Sequence, residues 1–294
     1  MTAYCGRFAP SPTGPLHFGS LVAAVASYCE ARAQGGLWRV RMEDLDAPRC
    51  VPGAADEILR ALDRCGFAWD GGILYQSTRT ESYAAALERL RHAGRLFRCG
   101  CSRREIADSA LTPGAPIYPG TCRNGLPPGR GPRSWRVRVD DESIEFDDAI
   151  QGRVGQRLAE EVGDFVLRRA DGCFAYQLAV VVDDAQQRIT DVARGADLLG
   201  STPRQIFLQR LLQYPQPHYA HVPVAVNAAA EKLSKQTLAP AVVPGDSSAL
   251  VKALQFLGQD PPADLERSRP ADVWTWAIPS WNLARIPCRR TIQV

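Results

Sequence analysis

The residues 7–20 constrain the fold more than any other stretch of the chain. They read Arg-Phe-Ala-Pro-Ser-Pro-Thr-Gly-Pro-Leu-His-Phe-Gly-Ser. The residues 4–9 predict a strand, and the prolines and glycine that follow exclude regular structure until Leu16. After His17, apolar residues recur at helical spacing, which predicts a helix. A strand, an irregular loop and a helix in this order are typical of the first unit of an α/β sheet.

The start of this helix is a candidate phosphate site. Its free backbone amides and the positive end of its dipole point back toward the loop, where they attract an anion. Gly19 leaves out a side chain where a nucleotide would approach, and His17 can donate a hydrogen bond to a phosphate oxygen. The alternative is an ordinary strand-loop-helix junction with a structural histidine, and a second motif decides between the two.

That motif lies in a small-residue loop after the apolar residues 222–226 and reads Lys232-Leu233-Ser234-Lys235-Gln236. Together the two stretches resemble the class I aminoacyl-tRNA synthetases, in which a His-Ile-Gly-His element and a Lys-Met-Ser-Lys-Ser loop bind ATP. The first element reads His17-Phe18-Gly19-Ser20 here. Ser20 replaces the second histidine of this element, and Gln236 replaces the last serine of the lysine motif. Both replacements keep hydrogen-bonding capacity.

A narrower resemblance rests on residues 7–16 and on the segment Met42-Glu43-Asp44-Leu45-Asp46, which look like the glutamyl branch of that class. Because 58 residues follow Gln236 in a chain of 294, the chain is most similar to the short paralogues of the branch, the glutamyl-queuosine tRNA(Asp) synthetases. This resemblance spans nearly the whole chain.

The resemblance implies a glutamate pocket and an ATP site, with His17 and Lys235 as catalytic residues. It assigns to the glutamate pocket Arg7, Ala9, Ser11, Glu43, Tyr176 and Arg194. It assigns to the ATP site Pro10, His17, Gly19, Ser20, Lys232, Leu233, Ser234, Lys235 and Gln236. The planar fork of Arg7 matches a carboxylate. On the residues alone, Glu43 is equally a solvated or capping acid, and Tyr176 is equally a core aromatic.

The predicted fold is α/β, a Rossmann-like doubly wound parallel sheet. A strand over residues 37–42 follows the first helix, and this order implies a right-handed crossover and a parallel pair. Ligands then bind at the carboxyl ends of the strands. We expect residues 96–98 to extend this sheet, and residues 135–139 and 144–146 to pair in a small antiparallel sheet.

Four segments are expected from the change of pattern along the chain. They are the first half of the catalytic domain (1–97), an inserted zinc-containing α+β subdomain (98–165), the second half of the catalytic domain (166–245) and a helical C-terminal segment (246–294). Trp274, Trp276 and Trp281 of the last segment are interpreted as packing on the body of the protein.

The insertion carries candidate metal ligands, namely Cys99, Cys101, Tyr118 and Cys122. Thiolates favour zinc, which prefers four tetrahedral ligands. A redox pair and plain surface thiols are the alternatives, because a Cys-x-Cys pair is less specific than paired Cys-x-x-Cys knuckles and tyrosine is an unusual ligand. The resemblance favours one zinc ion, since the short paralogues carry a zinc site with a tyrosine among its ligands.

The insertion also concentrates positive charge, with five arginines and no acid between Thr121 and Arg138. They are either a solvated loop or contacts to an RNA backbone. The net charge of the whole chain is only +3, so any nucleic-acid footprint must be local. The five are Arg123, Arg130, Arg133, Arg136 and Arg138.

Composition limits the class of protein. Hydrophobic residues make up 45% of the chain and charged residues 23%, which is typical of a globular protein. The sequence predicts a cytosolic protein, since it has neither a signal pattern nor an apolar stretch of about 20 residues. Nine scattered cysteines do not indicate a disulfide framework. We expect a monomer.

The implied function is ATP-dependent activation of L-glutamate to glutamyl-adenylate without tRNA, followed by transfer of glutamate to the queuosine base in the anticodon loop of tRNA(Asp). Mg²⁺ is expected with ATP. A synthetase that also reads a distant anticodon needs a further domain, so we expect this chain to engage one end of its RNA. The alternatives are a truncated synthetase that charges tRNA(Glu), a nucleotidyltransferase that does not use tRNA, and a non-catalytic tRNA-binding relative.

Overall fold

A computed structural model describes residues 3–108, 117–233 and 241–294. Within these ranges the α-helices are α1 Phe18–Ala33, α2 Ala54–Arg64, α3 Thr80–His92, α4 Arg103–Asp108, α5 Leu158–Glu161, α6 Tyr176–Gln186, α7 Thr202–Leu212, α8 Ser247–Phe256 and α9 Pro270–Ser280. The strands are β1 Cys5–Phe8, β2 Leu37–Met42, β3 Leu74–Tyr75, β4 Leu96–Cys99, β5 Ser134–Val137, β6 Ser143–Asp148, β7 Gly152–Arg157, β8 Val166–Arg168, β9 Asp191–Gly195, β10 His218–Val222, β11 Val224–Val226 and β12 Thr291–Gln293. Short 3₁₀ helices span Ala47–Arg49, Gln76–Arg79, Ala196–Ser201, Ala263–Arg267 and Leu283–Arg285.

The central sheet has two parallel parts that meet at β1 and β9. In the first part β2 lies between β1 and β3, and all three strands are parallel. In the second part β10 lies between β9 and β6 and is parallel to both, while β7 adds an antiparallel edge. The amide of Thr190 donates to the carbonyl of Cys5 at 2.9 Å, which joins the two parts. The carboxyl ends of β1, β2, β9 and β10 therefore face one side, as the predicted parallel topology requires.

Helices cover both faces of the sheet, because alternate strand residues point to opposite sides. In β9 and β10, Ala193 and Ala220 contribute to the core under α1, α2, α8 and α9, whereas Val192 and Tyr219 contribute to the core under α3, α6 and α7. The predicted α/β class with a doubly wound sheet agrees with this arrangement. In the described part of the chain, no helix has the length and apolar character needed to span a membrane.

Two predicted strand pairings are wrong. The strand β4 does not extend the central sheet but pairs with β5 in a separate antiparallel sheet, β4-β5-β8. The strand β6 is not the partner of β5, because it pairs with β7 and joins the central sheet beside β10. Alternation of apolar residues indicates that a segment is a strand, but the choice of partner depends on contacts distant in sequence.

The C-terminal residues belong to the body of the protein. The helices α8 and α9 pack against α1, and the ring of Trp274 lies between Tyr28 and Phe67 at 4.9 and 4.7 Å. The indole of Trp281 donates to Glu30 at 2.7 Å. The packing role predicted for the tryptophans is confirmed for all three, since Trp276 also packs against this core. The segment is not purely helical, since β12 pairs in parallel with β11.

Candidate active site

A cavity of about 740 Å³ opens at the carboxyl ends of the parallel strands. Eleven of the predicted glutamate and ATP residues line it, although they come from segments far apart in sequence. They are Arg7, Ala9, Pro10, Ser11, His17, Gly19, Ser20, Glu43, Tyr176, Arg194 and Lys232. Leu233 lies beside them, while Ser234, Lys235 and Gln236 fall outside the described residues.

The loop after β1 delivers His17 to the first position before α1. Nδ1 of this buried histidine accepts the amide of Ser20 at 3.3 Å, and Nε2 lies 3.0 Å from the Ser20 hydroxyl. A side-chain acceptor at this position stabilises the start of a helix. The helix amides and a polar histidine–serine pair are thus brought to the wall of the cavity.

The described residues that flank the segment 234–240 both contact the same helix start. On one side, a β-bridge joins His17 to Ala241, and the amide of Val242 donates to the carbonyl of Leu16 at 2.8 Å. On the other side, a Cβ atom at Gly19 would lie 3.1 Å from the carbonyl oxygen of Leu233. The described part of the second motif, Lys232 and Leu233, therefore lies beside the first.

Buried charges surround Arg7, which lines the cavity. Its guanidinium contacts Asp184 through Nε at 3.3 Å and Nη2 at 3.4 Å. Asp184 also accepts from the fully buried Arg41 at 2.7 Å, and Arg41 lies 3.5 Å from Glu43. Although burial opposes its ionisation, the two arginines lower the pKa of Asp184. Arg7 therefore shares its charge with an acid of the protein.

Glu43 is in the opposite situation to Asp184. Burial raises its pKa, and the nearby Arg41 and Arg7 only partly offset that effect. The side chain lines the cavity, so a cation that entered there would favour its ionised form. The sequence predicted Glu43 and Arg7 at this place but not Arg41, which lies behind them.

Arg194 has neutral hydrogen-bond partners. Its Nε donates to Nε2 of His221 at 3.0 Å and its Nη2 donates to the hydroxyl of Thr202 at 2.8 Å. Its Nη1 lies 3.4 Å from the hydroxyl of Tyr176, whose pKa is raised by burial. The predicted pair Tyr176 and Arg194 is therefore in contact.

Behind Arg194 lies a buried pair that sequence reasoning missed. His221 Nδ1 contacts Asp148 Oδ2 at 2.5 Å, and both side chains are inaccessible to solvent. Burial lowers the pKa of His221. Burial opposes ionisation of Asp148 as well, but its hydrogen bonds with His221 and the Gln151 amide lower its pKa. No motif marks either residue, since the contact arises only from the pairing of β6 with β10.

The predicted metal ligands form a second, separate group. The Sγ atoms of Cys99, Cys101 and Cys122 all lie within 4.8 Å of one another. The hydroxyl of Tyr118 lies 3.5 Å from Cys99 Sγ and accepts the amide of Cys122 at 2.7 Å. The structure therefore brings the four predicted ligands together, and the three soft thiols fit a zinc ion.

The thiols influence one another's ionisation. Although burial opposes it, contacts with Tyr118 and the Cys101 amide lower the pKa of Cys99 to about 7. Burial, followed by the neighbouring thiols, raises the pKa of Cys101 to about 11. A cation among the three sulfur atoms would stabilise their ionised forms.

The arginine-rich run is mostly occupied by contacts within the protein. Arg123 pairs with Asp164, Arg130 pairs with Glu105 at 2.7 Å, and Arg138 lies over the ring of Phe97. Arg136 is buried over the ring of Tyr118 and donates to the carbonyl of Asp164. Neither alternative left open by the sequence, a solvated loop or contacts to an RNA backbone, fits the buried Arg136, whereas Arg133 is exposed.

This fold and this cavity define a class I tRNA synthetase catalytic domain. The family model for tRNA synthetases class I (E and Q), catalytic domain, matches residues 5–249. The solved glutamate-tRNA synthetase of Elizabethkingia anophelis has the same fold, with a TM-score of 0.82 over 99% of this chain and 68% of that chain, at 24% identity.

Curated relatives are similar over nearly their full length. The chain is 64% identical to the glutamyl-Q tRNA(Asp) synthetase of Dechloromonas aromatica, over 97% of this chain and 96% of the relative. It is 60% identical to the glutamyl-Q tRNA(Asp) synthetase of Aromatoleum aromaticum, over 97% of this chain and 90% of that relative. The chain belongs to the glutamyl-Q tRNA(Asp) synthetase family, and it is an aminoacyl-tRNA synthetase-like ligase.

Proposed function

We propose that this enzyme activates L-glutamate with ATP in the absence of tRNA and then transfers glutamate to the queuosine base of tRNA(Asp). The observation that carries the proposal is the single cavity that gathers the predicted glutamate residues and the helix start beside the lysine loop. The relatives named for this transfer support the choice of RNA.

The charges of the cavity suit glutamate. Glu43 accepts the substrate ammonium group. This cation favours the ionised form of Glu43, which burial disfavours. Arg7 receives the side-chain carboxylate, because a planar fork matches a carboxylate bidentately. Tyr176 and Arg194 complete the pocket. Neutral glutamine would offer Arg7 no carboxylate in addition to Asp184, so the pocket selects against it.

The activation step needs alignment and charge stabilisation. An oxygen of the glutamate α-carboxylate attacks the α-phosphorus of ATP, a carboxylate-phosphate bond forms, and the bond to the leaving pyrophosphate breaks. The carboxylate is already ionised, so no general base takes part. His17, the amides of α1 and Lys235 stabilise the developing charge on the phosphate oxygens. Mg²⁺ accompanies the ATP.

Isotope exchange between ATP and pyrophosphate tests the first step. Glutamate, and not glutamine or aspartate, should drive exchange without tRNA. The His17→Asn variant keeps a side-chain acceptor for the helix start but shortens the donor, so we expect about a hundredfold lower rate, the scale of one lost transition-state donor. Its melting temperature should stay close to that of the wild type. Exchange that is equally fast with all three amino acids would contradict the proposal.

Transfer is tested with labelled glutamate offered to three RNAs, namely tRNA(Asp) with queuosine, tRNA(Asp) without it, and tRNA(Glu). Label should appear only on the first, and it should not be lost when the terminal adenosine is removed. Charging of tRNA(Glu) at its terminal adenosine would favour the truncated synthetase instead. Exchange without transfer to any RNA would favour a nucleotidyltransferase.

We also propose that Cys99, Cys101 and Cys122 hold one structural zinc ion with Tyr118 as the fourth ligand, because the four donor atoms converge. Elemental analysis should find about one zinc per chain. Cys101→Ser should lose the metal and increase hydrogen exchange in residues 98–133, whereas Cys288→Ser, which changes an exposed cysteine, should do neither. A metal-free wild-type protein of normal stability would refute this.

A further inference from the structure

The neutral surroundings of Arg194 set it apart from the other cations of the cavity. Among the described residues, Arg7 pairs with Asp184, Arg49 with Asp46 and Lys232 with Asp197. The direct partners of Arg194 are an imidazole, a threonine hydroxyl and a tyrosine hydroxyl. Its positive charge is therefore not neutralised by a contacting acid, and it is available to an anionic ligand.

The contacts of His221 determine which of its nitrogens carries the proton. Arginine Nε–H can only donate, so His221 Nε2, at 3.0 Å from it, must be the unprotonated acceptor. The proton of a neutral ring then lies on Nδ1, where Asp148 accepts it at 2.5 Å. The ring is buried against Tyr219 with an interplanar angle of 17°, which limits its rotation.

We propose that Asp148 and His221 are positioning residues for Arg194. Asp148 holds His221 as the Nδ1–H tautomer, and His221 in turn fixes Arg194 toward a carboxylate of the bound glutamate. The inference rests on the proposed function for the identity of the ligand. The tautomer itself follows from the contacts of the three side chains alone.

Asp148 offers a sharp test because its two oxygens have different partners. Oδ1 accepts the amides of Ile150, Gln151 and His221 at 3.0, 2.9 and 3.1 Å. In Asp148→Asn these amides would keep the oxygen in place, so the new amide nitrogen would face His221 Nδ1. Two donors cannot share one hydrogen bond, and His221 would change to the Nε2–H tautomer. Its Nε2–H would then oppose the Nε–H of Arg194.

Nitrogen-15 NMR of the histidine rings measures the tautomer directly, and His221→Gln identifies the His221 signals among the four histidines. We expect Nδ1–H in the wild type and Nε2–H in Asp148→Asn. A wild-type ring that is protonated on Nε2, or an unchanged tautomer in Asp148→Asn, would overturn the inference. This result does not depend on whether glutamate is the substrate.

Kinetics measure the consequence for the ligand. In Asp148→Asn and His221→Leu, the KM for glutamate in pyrophosphate exchange should rise at least about tenfold, the scale of a lost hydrogen bond to a charged group. The KM for ATP and kcat should change much less. His221→Gln keeps an acceptor oxygen and should retain most of the glutamate affinity, and adding Asp148→Asn to it should raise KM little further.

His218→Gln is the matched control, because His218 lies on the same strand but is exposed and contacts Asp191. It should leave both KM values unchanged. A fall in kcat equal to the rise in KM, or no difference between His221→Gln and His221→Leu, would reduce the pair to a structural role. If wild-type exchange did not respond to glutamate, the proposed function would fail, and the NMR measurement would still decide the inference.

Discussion

Arg7 and Arg194 line the same cavity, but an acid contacts Arg7 and only neutral groups contact Arg194. Arg7 contacts the carboxylate of Asp184, whereas Arg194 contacts His221 and Thr202. A ligand group that binds Arg7 must share it with an acid of the protein, and one that binds Arg194 does not. Two carboxylates of one substrate would therefore meet different electrostatic environments, which favours a single orientation of the amino acid.

A stability prediction follows from Glu43. Its pKa is raised in the folded state, mainly by burial, so the stability it contributes is full below its unfolded value of about 4.3 and is lost as pH rises through the folded pKa. Glu43→Gln should therefore be more stable than the wild type at pH 7, with a difference that shrinks toward pH 4. Urea unfolding between pH 4 and pH 8 measures this.

Glutamate binding should change in the opposite direction. The KM of Glu43→Gln for glutamate should rise about tenfold or more, because the substrate ammonium group loses a charged acceptor. Glu266→Gln, which changes an exposed acid, is the control for both measurements. A Glu43→Gln protein that is less stable than the wild type at pH 7 would show that Glu43 is needed to compensate Arg41.

At the scale of elements, the start of α1 joins three parts of the chain. The loop after β1 leads into it, the segment after the lysine loop bridges to His17, and Leu233 lies against Gly19. The free amides of the helix therefore open into a space whose walls come from both motifs. A change in either wall alters the space in front of the amides.

Gly19→Ala tests this close approach. The added Cβ would lie 3.1 Å from the carbonyl oxygen of Leu233, so the lysine loop must shift by a few tenths of an ångström. Alanine is favoured over glycine within a helix by about 1 kcal/mol, so the fold should not be weakened. We expect a several-fold rise in the KM for ATP, because a small displacement of groups that position a substrate is costly. The KM for glutamate should be unchanged.

Gly200→Ala is the control, since a Cβ at Gly200 would meet nothing within 4 Å. An unchanged KM for ATP in Gly19→Ala would mean that the loop moves freely without effect on the nucleotide. A marked fall in melting temperature would mean that the contact is chiefly structural.

At the scale of the whole molecule, the C-terminal residues and the first helix share one core. Trp274 is buried between Tyr28 and Phe67, and its indole donates to the carbonyl of Cys65 at 2.8 Å. This core lies on the opposite face of the sheet from the core of α3, α6 and α7. The helix that carries the candidate phosphate site is thus supported by residues near the end of the chain.

Removal of the Trp274 ring should destabilise the whole protein. Trp274→Ala should lower the free energy of unfolding by about 3–5 kcal/mol, the cost of deleting a buried tryptophan. Urea unfolding checks the value, and Trp276→Ala, which removes a less buried ring, should cost less. Equal losses in the two variants would contradict the central place of Trp274 in this core.

The sequence by itself determined the features that depend on local backbone chemistry. The prolines and glycine between β1 and α1 exclude regular structure, and the helix that follows must present its amides to that loop. With the lysine motif, the family resemblance and the types of residue in the pocket could be predicted without the structure. The three cysteines that could hold a metal ion were candidates by residue type, and the family resemblance favoured zinc over a redox pair or surface thiols.

Only the tertiary structure decided which strands pair with β4 and which pair with β6. Those pairings also decide which residues lie behind the pocket. Asp184, Asp148 and His221 belong to no motif, because each acquires its role from a partner far away in sequence. A buried charge or imidazole is stable only where a partner meets it, and that partner is defined only once strands and helices are adjacent. The motifs and the family resemblance therefore predicted the groups that line the cavity, whereas the fold determined the groups that orient them.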